Sequence, residues 1–339
     1  MSSLLNTLNY YKAILLKNAI ILYNYYVMQD CKQRIVFMGT PEFASNILKG
    51  LTEAGFNIVG VVSQPDKEVG RKRILQPSKV KETAMELGLP VVTPIKIRNE
   101  YEEVLRFDPE LIITAAYGQI VPKALLEYPK YKCINTHGSL LPKYRGGAPI
   151  QRAIINGEKK TGMSIMYMNE KMDEGDILYQ EEMDIDIHDT NADIFKKLSD
   201  LALKMLLEFL PKFFDGDFVC TKQNDAEATY AYNLDKEIEH IFFEDDVLKV
   251  YNHIRGLLDN PGCFFMMKDK KYKIEKCFFE YSEDVRPATF IGLENDYLRF
   301  DCNNGFIKIY MIKPEGKNSM DGKSFFNGAG RNLIGEKLG

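Results

Sequence analysis

From Arg34 onward, short apolar runs alternate with longer stretches whose apolar positions recur every three or four residues. RIVFMG (34–39), FNIVGVVS (56–63), PELIITAAYG (109–118) and KYKCINTH (130–137) read as buried strands, and PVVTP (90–94) as a shorter one. PEFASNILKGLTEAG (41–55) predicts a helix, with Pro41 near its first turn and Gly55 just past its end. ETAMELG (82–88) predicts a helical piece, and IRNEYEEVLRF (97–107) a single charged helix. Strands alternating with helices at this spacing imply an α/β fold with a Rossmann-like, doubly wound, mostly parallel sheet. Such sheets bind ligands beyond the carboxyl ends of their strands. Asn135 and His137 fall at that kind of position.

The second half changes character. APIQRAIINGE (148–158) reads as a helix, and TGMSIMYMNEKMDEGDILYQEEMDI (161–185) as two strands around an acidic turn. ADIFKKLSDLALKMLLEFLPKFFDG (192–216) has the apolar spacing of a long amphipathic helix. TKQNDAEATYAYNLDKE (221–237) is polar without periodicity and reads as a linker. One more helix, DDVLKVYNHIRGL, precedes five short strand-like runs between residues 262 and 314, the pattern of a small antiparallel, OB-like barrel. The expected organisation is an N-terminal extension at 1–30, a catalytic domain at 31–216, a linker at 217–237 and a C-terminal barrel at 238–339.

A length of 339 residues fits two domains rather than one core. The net charge of −4 argues against attraction of nucleic acid by the whole surface, so any basic binding patch is local. Six scattered cysteines, with no C-x-x-C pair, match neither a zinc site nor a disulfide framework and are expected to be buried, reduced thiols of a cytoplasmic protein. Residues 13–27 are apolar but interrupted by Lys17, Asn18 and Asn24, too short and too broken for a membrane span. Residues 1–27 are expected to be an upstream translation artefact or a dispensable extension, because Met28 stands just before the first strand.

The candidate chemistry lies on the ligand edge. FMGTPEFA opens a strand–turn–helix unit but has only Gly39 where a dinucleotide fingerprint needs three glycines, which disfavours a nucleotide-cofactor enzyme. Asn135 and His137 are one residue apart and share a side of an extended chain, where an amide and an imidazole can serve one carbonyl oxygen. The loop GSLLPKYRGGAP (138–149) follows, with three glycines and two prolines to shape it and Leu140 and Leu141 to form an apolar wall. The turn MDEGDILYQ supplies Asp173, Glu174 and Asp176 as candidate carboxylates. A carboxylate beside an imidazole favours its protonated form and can accept a proton from an attacking amine. QPDKEVGRKRILQPSKVK (64–81) carries six basic residues against two acidic ones, suiting a phosphate-bearing substrate. KDKKYKIEK (268–276) is a second basic, aromatic-containing segment.

Taken in order, RIVFMGTPEFAS, the basic segment, INTHGSLLPKYRGGAPIQRAI, MDEGDILYQ, NHIRGL, NPG and KPEGKNSM strongly resemble the methionyl-tRNA formyltransferase family over residues 33–330. The Asn-x-His, SLLP and Asp core is shared by enzymes that use 10-formyltetrahydrofolate; GTPEFA, the basic loop, APIQRAI and PEGK are more selective for the tRNA branch. The resemblance implies Asn135, His137 and Asp173 as catalytic residues and Ser139, Leu140, Leu141 and Pro142 as the folate-contacting segment. It implies Arg71, Lys72 and Arg73 as the tRNA-contacting tip of the basic loop and a C-terminal barrel that binds tRNA. The implied partners are 10-formyltetrahydrofolate and initiator methionyl-tRNA, acted on by a cytoplasmic monomer that needs neither metal nor membrane. Other folate-dependent formyltransferases, acting on a nucleotide sugar or glycinamide ribonucleotide, would share the same catalytic trio, and a non-catalytic folate- or tRNA-binding module is the alternative outside enzymes. Gly138 departs from the family's usual Ala or Pro, Asp259-Asn260 from its Pro-Trp, and the chain has no tryptophan.

Overall fold

The computed structural model describes residues 31–70 and 73–339. The extension expected at 1–30, and with it residues 1–27, lies outside the described residues, as do Arg71 and Lys72. The described chain gathers into two compact units, each discontinuous in sequence. The first takes the chain through Pro142 together with 163–181 and 198–226; the second takes 143–162, 182–197 and 227–339.

The elements of the first half are β1 (Ile35–Gly39), α1 (Glu42–Glu53), β2 (Ile58–Val62), β3 (Lys67–Val69), β4 (Ile74–Gln76), α2 (Lys79–Glu86) and β5 (Val91–Val92). Then come α3 (Ile97–Glu100), α4 (Glu102–Leu105), β6 (Leu111–Ala115), α5 (Lys123–Glu127) and β7 (Cys133–His137). They are followed by α6 (Pro149–Ile155), β8 (Lys160–Tyr167), β9 (Ile177–Asp184) and α7 (Asn191–Asp215). Seven strands make one sheet in the order β5-β2-β1-β6-β7-β8-β9. Pairing is parallel from β5 through β7 and turns antiparallel at β7–β8. The mostly parallel sheet expected from the periodicity is therefore present, with its reversal just beyond Asn135 and His137.

Every residue of β1 and of β6 is buried, which is why these strands read as uniform apolar runs rather than alternating ones. Helix α1 buries Phe43, Ile47, Leu48 and Leu51 on one face. A Cβ built on Gly50 of that helix would lie 2.2 Å from Leu203 Cδ2, so the glycine lets α1 and α7 approach closely. Ser199 on α7 donates to the Phe43 carbonyl at 2.9 Å across the same contact.

The single charged helix expected at 97–107 is instead the two four-residue helices α3 and α4, joined at Tyr101. Glu100 folds back to accept from the Lys96 and Ile95 amides at 2.8 and 3.2 Å, and Val104 N–H bonds the Tyr101 carbonyl three residues earlier. With only Ile97 and Val104 buried, too little apolar surface spans the break to hold one continuous helix.

In the second half, α8 (Val247–Leu257) precedes β10 (Cys263–Met267), β11 (Lys270–Tyr281), β12 (Thr289–Glu294), β13 (Tyr297–Asp301), β14 (Gly305–Pro314), β15 (Met320–Asp321) and α9 (Gly322–Gly328). Their antiparallel sheet runs β10-β11-β14-β13-β12, with β15 added on β14. Among the described residues the pairings form an open path, bulged at Lys276 in β11 and between Phe290 and Gly292 in β12. Bulges bend a strand and increase its twist, which is how so small a sheet curves over one core. That core is aromatic: the Phe300 ring lies 4.8 Å from Phe290 and 5.0 Å from Phe265, with Tyr251 of α8 buried alongside. Phenylalanines fill the space in a chain without tryptophan. Lys268 and Asp269, both left-handed, close the tight β10–β11 hairpin.

Four of the six cysteines, Cys133, Cys263, Cys277 and Cys302, are buried as expected, whereas Cys220 is exposed and Cys31 only half-buried. Burial pushes the Cys263 thiol up to about 12 and raises Cys133, Cys277 and Cys302 as well. These four thiols are closed to reagent as well as raised, whereas the Cys220 thiol, also raised by partial desolvation and by Asp176, is exposed. Iodoacetamide applied to the native protein should therefore reach Cys220 and spare these four; mass-spectrometric detection of alkylated Cys277 before unfolding would contradict the packing.

Candidate active site

Strand β7 carries two of the three expected catalytic residues and places them through its pairings. On one side Thr114 of β6 stands in register with Asn135, and its hydroxyl donates to Asn135 Oδ1 at 2.7 Å. The amide oxygen is thereby occupied, and no acceptor among the described residues engages Asn135 Nδ2, which is left as a donor. On the other side His137 is in register with Ser164 of β8. His137 is only 6% exposed, and its Nδ1 lies 3.6 Å from Asp173 Oδ2. That separation is within ion-pair reach and slightly longer than a direct hydrogen bond of about 2.7–3.2 Å.

Three candidate carboxylates, Asp173, Glu174 and Asp176, stand in the turn between β8 and β9, and the structure divides them. Glu174 pairs with Lys171 at 3.0 Å, and Asp176 lies 3.6 Å from the Cys220 thiol. Asp173 is the one that reaches the imidazole. Its φ of 55° lies in the left-handed region, where aspartate is tolerated better than most side chains.

The segment after His137 is fastened by two side chains from neighbouring strands. Ser164 Oγ donates to the Ser139 carbonyl at 2.6 Å and accepts the Leu141 amide at 3.1 Å. Gln180 of β9 donates from Nε2 to the Leu141 carbonyl and to Ser164 Oγ, both at 2.8 Å. Ser139 and Leu141 are buried, while Leu140 and Pro142 are half-buried. The Leu140 N–H and C=O meet no partner among the described residues, so this part of the loop can bond a ligand. Gly138 is buried in the same segment.

The basic segment is a two-stranded hairpin, β3 with β4, whose strands are exposed throughout. Its base is tied by an ion pair between Lys81 and Asp66 at 2.7 Å and by the contact between the Ser63 and Ser78 hydroxyls. Of the expected tip, Arg73 is described; it is left-handed, strongly exposed, and paired with Glu68 at 3.0 Å. Val69, Ile74 and Leu75 stand exposed beside it, an apolar surface next to the charges.

Sequence reasoning missed Thr114, Ser164 and Gln180, which orient the amide and the loop. A signal was there: Thr114 and Ser164 are hydroxyls within mainly apolar strand-like runs, and buried polar groups are almost always hydrogen-bonded.

Residues 33–210 match the family model described as formyl transferase, and residues 233–330 match the formyl transferase C-terminal domain. A methionyl-tRNA formyltransferase of Geobacillus sp. (strain WCH70) is 47% identical over 313 residues, covering 90% of this chain and 98% of that protein. One from Bacillus mycoides is 45% identical over 312 residues with the same coverage. Among solved structures, an N-formyltransferase from Helicobacter canadensis, in complex with folinic acid and dTDP-3-aminofucose, has a TM-score of 0.63 at 21% identity over 82% of this chain and 98% of its own. Methionyl-tRNA formyltransferase from Clostridium thermocellum has a TM-score of 0.53 at 22% identity, over 73% of this chain and 94% of its own. These two structural likenesses are of fold.

Replacing Ser164 with alanine removes the partner of the buried Leu141 N–H and the hydroxyl bond to the Ser139 carbonyl together. Ser164→Ala is expected to lose about 1–3 kcal/mol of stability. Urea unfolding checks this, and a variant as stable as the parent contradicts the loop-fastening role.

Proposed function

The chain belongs to the formyl transferase family, and we propose that it moves the formyl group of 10-formyltetrahydrofolate to the α-amino group of methionyl-initiator tRNA. The product is formylmethionyl-tRNA, for translation initiation in the cytoplasm. The observation that carries the chemistry is His137 Nδ1 set 3.6 Å from Asp173 Oδ2. It stands beside an Asn135 amide whose oxygen is already taken by Thr114.

In this reading Asn135 Nδ2 and the far nitrogen of the His137 ring donate to the formyl oxygen as attack gives it negative charge. Donors fixed in advance stabilise that charge without reorganisation. Asp173 holds the Nδ1 side of the imidazole and takes the proton released by the amine, directly or through a water. The bond from the formyl carbon to the new nitrogen forms, the bond to N10 of the folate breaks, and the proton passes to N10. A free α-amino group titrates near about 7.7–8.0 and esterification lowers that value, so no strong base is required. The residues fit the donor substrate: Leu140 offers unengaged backbone groups, Leu141 and Pro142 an apolar surface, and Ser139 the buried anchor of the segment.

We assign catalysis to residues 31–216 and tRNA binding to the antiparallel domain at 238–339 and to Arg71, Lys72 and Arg73 of the basic segment. Six basic residues on and beside an exposed hairpin support a polyanionic acceptor over a small amine. Among the described residues no helix is long and apolar enough to cross a membrane.

The direct test is formyl transfer by the purified protein, with charged initiator tRNA compared against nucleotide-sugar amines and glycinamide ribonucleotide. Transfer to a small amine but not to the tRNA sinks the acceptor assignment. Asn135→Ala or His137→Ala should each lower kcat about 10²–10³-fold, the usual cost of one oxyanion donor. An unchanged kcat in both variants would remove Asn135 and His137 from the catalytic site, and a parent protein with no formyl transfer would point to a binding module. Arg71→Ala should raise the KM for methionyl-tRNA while leaving folate affinity intact; equal loss in a folate titration removes Arg71 from the tRNA site.

A further inference from the structure

The carboxylate facing His137 comes from a turn, and turns need holding. Asp173 is left-handed, with a φ of 55°, so its carboxylate position depends on what restrains the backbone from 173 to 176. The far end of the turn lies against β8: the Tyr167 amide donates to the Asp176 carbonyl at 2.9 Å. A Cβ built on Gly175 would lie 1.7 Å from the Tyr167 carbonyl oxygen, so that residue's place is filled to the backbone. Neither contact reaches the Asp173 peptide itself.

Gln223 does. It lies beyond α7, in the stretch the sequence marks only as polar, yet it is 6% exposed. Its Nε2 donates to the Asp173 carbonyl at 2.7 Å and to the Gly175 carbonyl at 2.7 Å. Both hydrogens of one planar amide are spent on two carbonyls two residues apart, a geometry that fixes the intervening peptides in register. The chain carrying Gln223 is itself anchored, because Thr221 and Ile177 exchange both backbone hydrogen bonds at 2.8 Å. Tether and turn are thus bound at two points, one at the start of β9 and one at Asp173.

We propose that Gln223 is a positioning residue for formyl transfer. It touches no substrate and acts by holding the Asp173 carboxylate against the His137 imidazole. This rests on the reading of Asp173 as the third catalytic group. A carboxylate displaced by about 1 Å costs rate out of proportion to binding, because the reacting geometry is lost while the substrate pockets are not.

The test is a double-mutant cycle in steady-state formylation. Gln223→Met keeps length and bulk but removes both donors. It is expected to lower kcat about 10–100-fold, with KM for 10-formyltetrahydrofolate and for methionyl-tRNA within about threefold of the parent. In an Asp173→Asn background the same change should cost less than about threefold, since its route of action is gone. Gln223→Glu, which offers no N–H, should resemble Gln223→Met. A Gln223→Met kcat within threefold of the parent overturns the proposal. So does an undiminished loss in the Asp173→Asn background, or failure of both Gln223 variants to fold. Full activity of Asp173→Asn on its own would instead sink the catalytic reading of Asp173, and a parent protein without formyl transfer would sink the proposed function.

Discussion

Strand β7 sits between a parallel neighbour and an antiparallel one, and the site geometry follows from the register of those two pairings. Thr114 meets Asn135 on one side and His137 meets Ser164 on the other. A slip of one residue in either ladder would send every side chain of the strand to the opposite face. The slip is opposed by burial of the apolar members, Cys133 and Ile134, and by the hydroxyls of Thr114 and Ser164, which would lose their partners in a dry interior. The forces that hold the strand therefore also aim its functional groups.

That arrangement explains why the amide and the imidazole come from one strand while the carboxylate does not. Residues one apart on an extended chain already share a side. A third group approaching the imidazole has to arrive from elsewhere, and here it arrives on a turn with its own internal economy. Lys171 takes Glu174, Cys220 lies beside Asp176, and Asp173 is left facing the histidine. The turn is held by backbone and side-chain bonds from β8 and from the segment after α7, so a stretch that looks like spacer in the sequence is packed against the chemistry.

The second unit depends on a different constraint. Its six-stranded sheet is bulged in β11 and β12, and without tryptophan it fills its interior with tilted and edge-on phenylalanines. Cations lie over its rings: Arg299 lies 4.2 Å from the centre of the buried Phe306 ring, Lys308 5.0 Å from that of the buried Tyr297, and Lys276 5.8 Å from that of Tyr310. Arg299 is also paired with Asp301 at 2.7 Å and Glu294 at 3.2 Å, and Lys308 with Glu280, so rings and carboxylates together fix these cations.

Local pattern alone determined much of this protein. Uniform apolar runs announced β1, β2 and β6 because strands buried on both faces have no polar side to show, whereas in β7 only Cys133 and Ile134 precede the polar end. Asn135, His137 and the loop after them were legible because their spacing is a backbone fact. The residues of the turn offered three acidic candidates without ranking them, the family resemblance pointed to Asp173, and in the folded turn it is Asp173 that lies 3.6 Å from the imidazole. The sequence signalled one charged helix where insufficient buried surface leaves two, and it gave no sign that Gln223 is buried. These last are long-range matters: which carboxylate meets the imidazole, and which polar residue folds back on a turn, depend on groups distant in the chain meeting in a dry interior, and periodicity carries no information about such meetings.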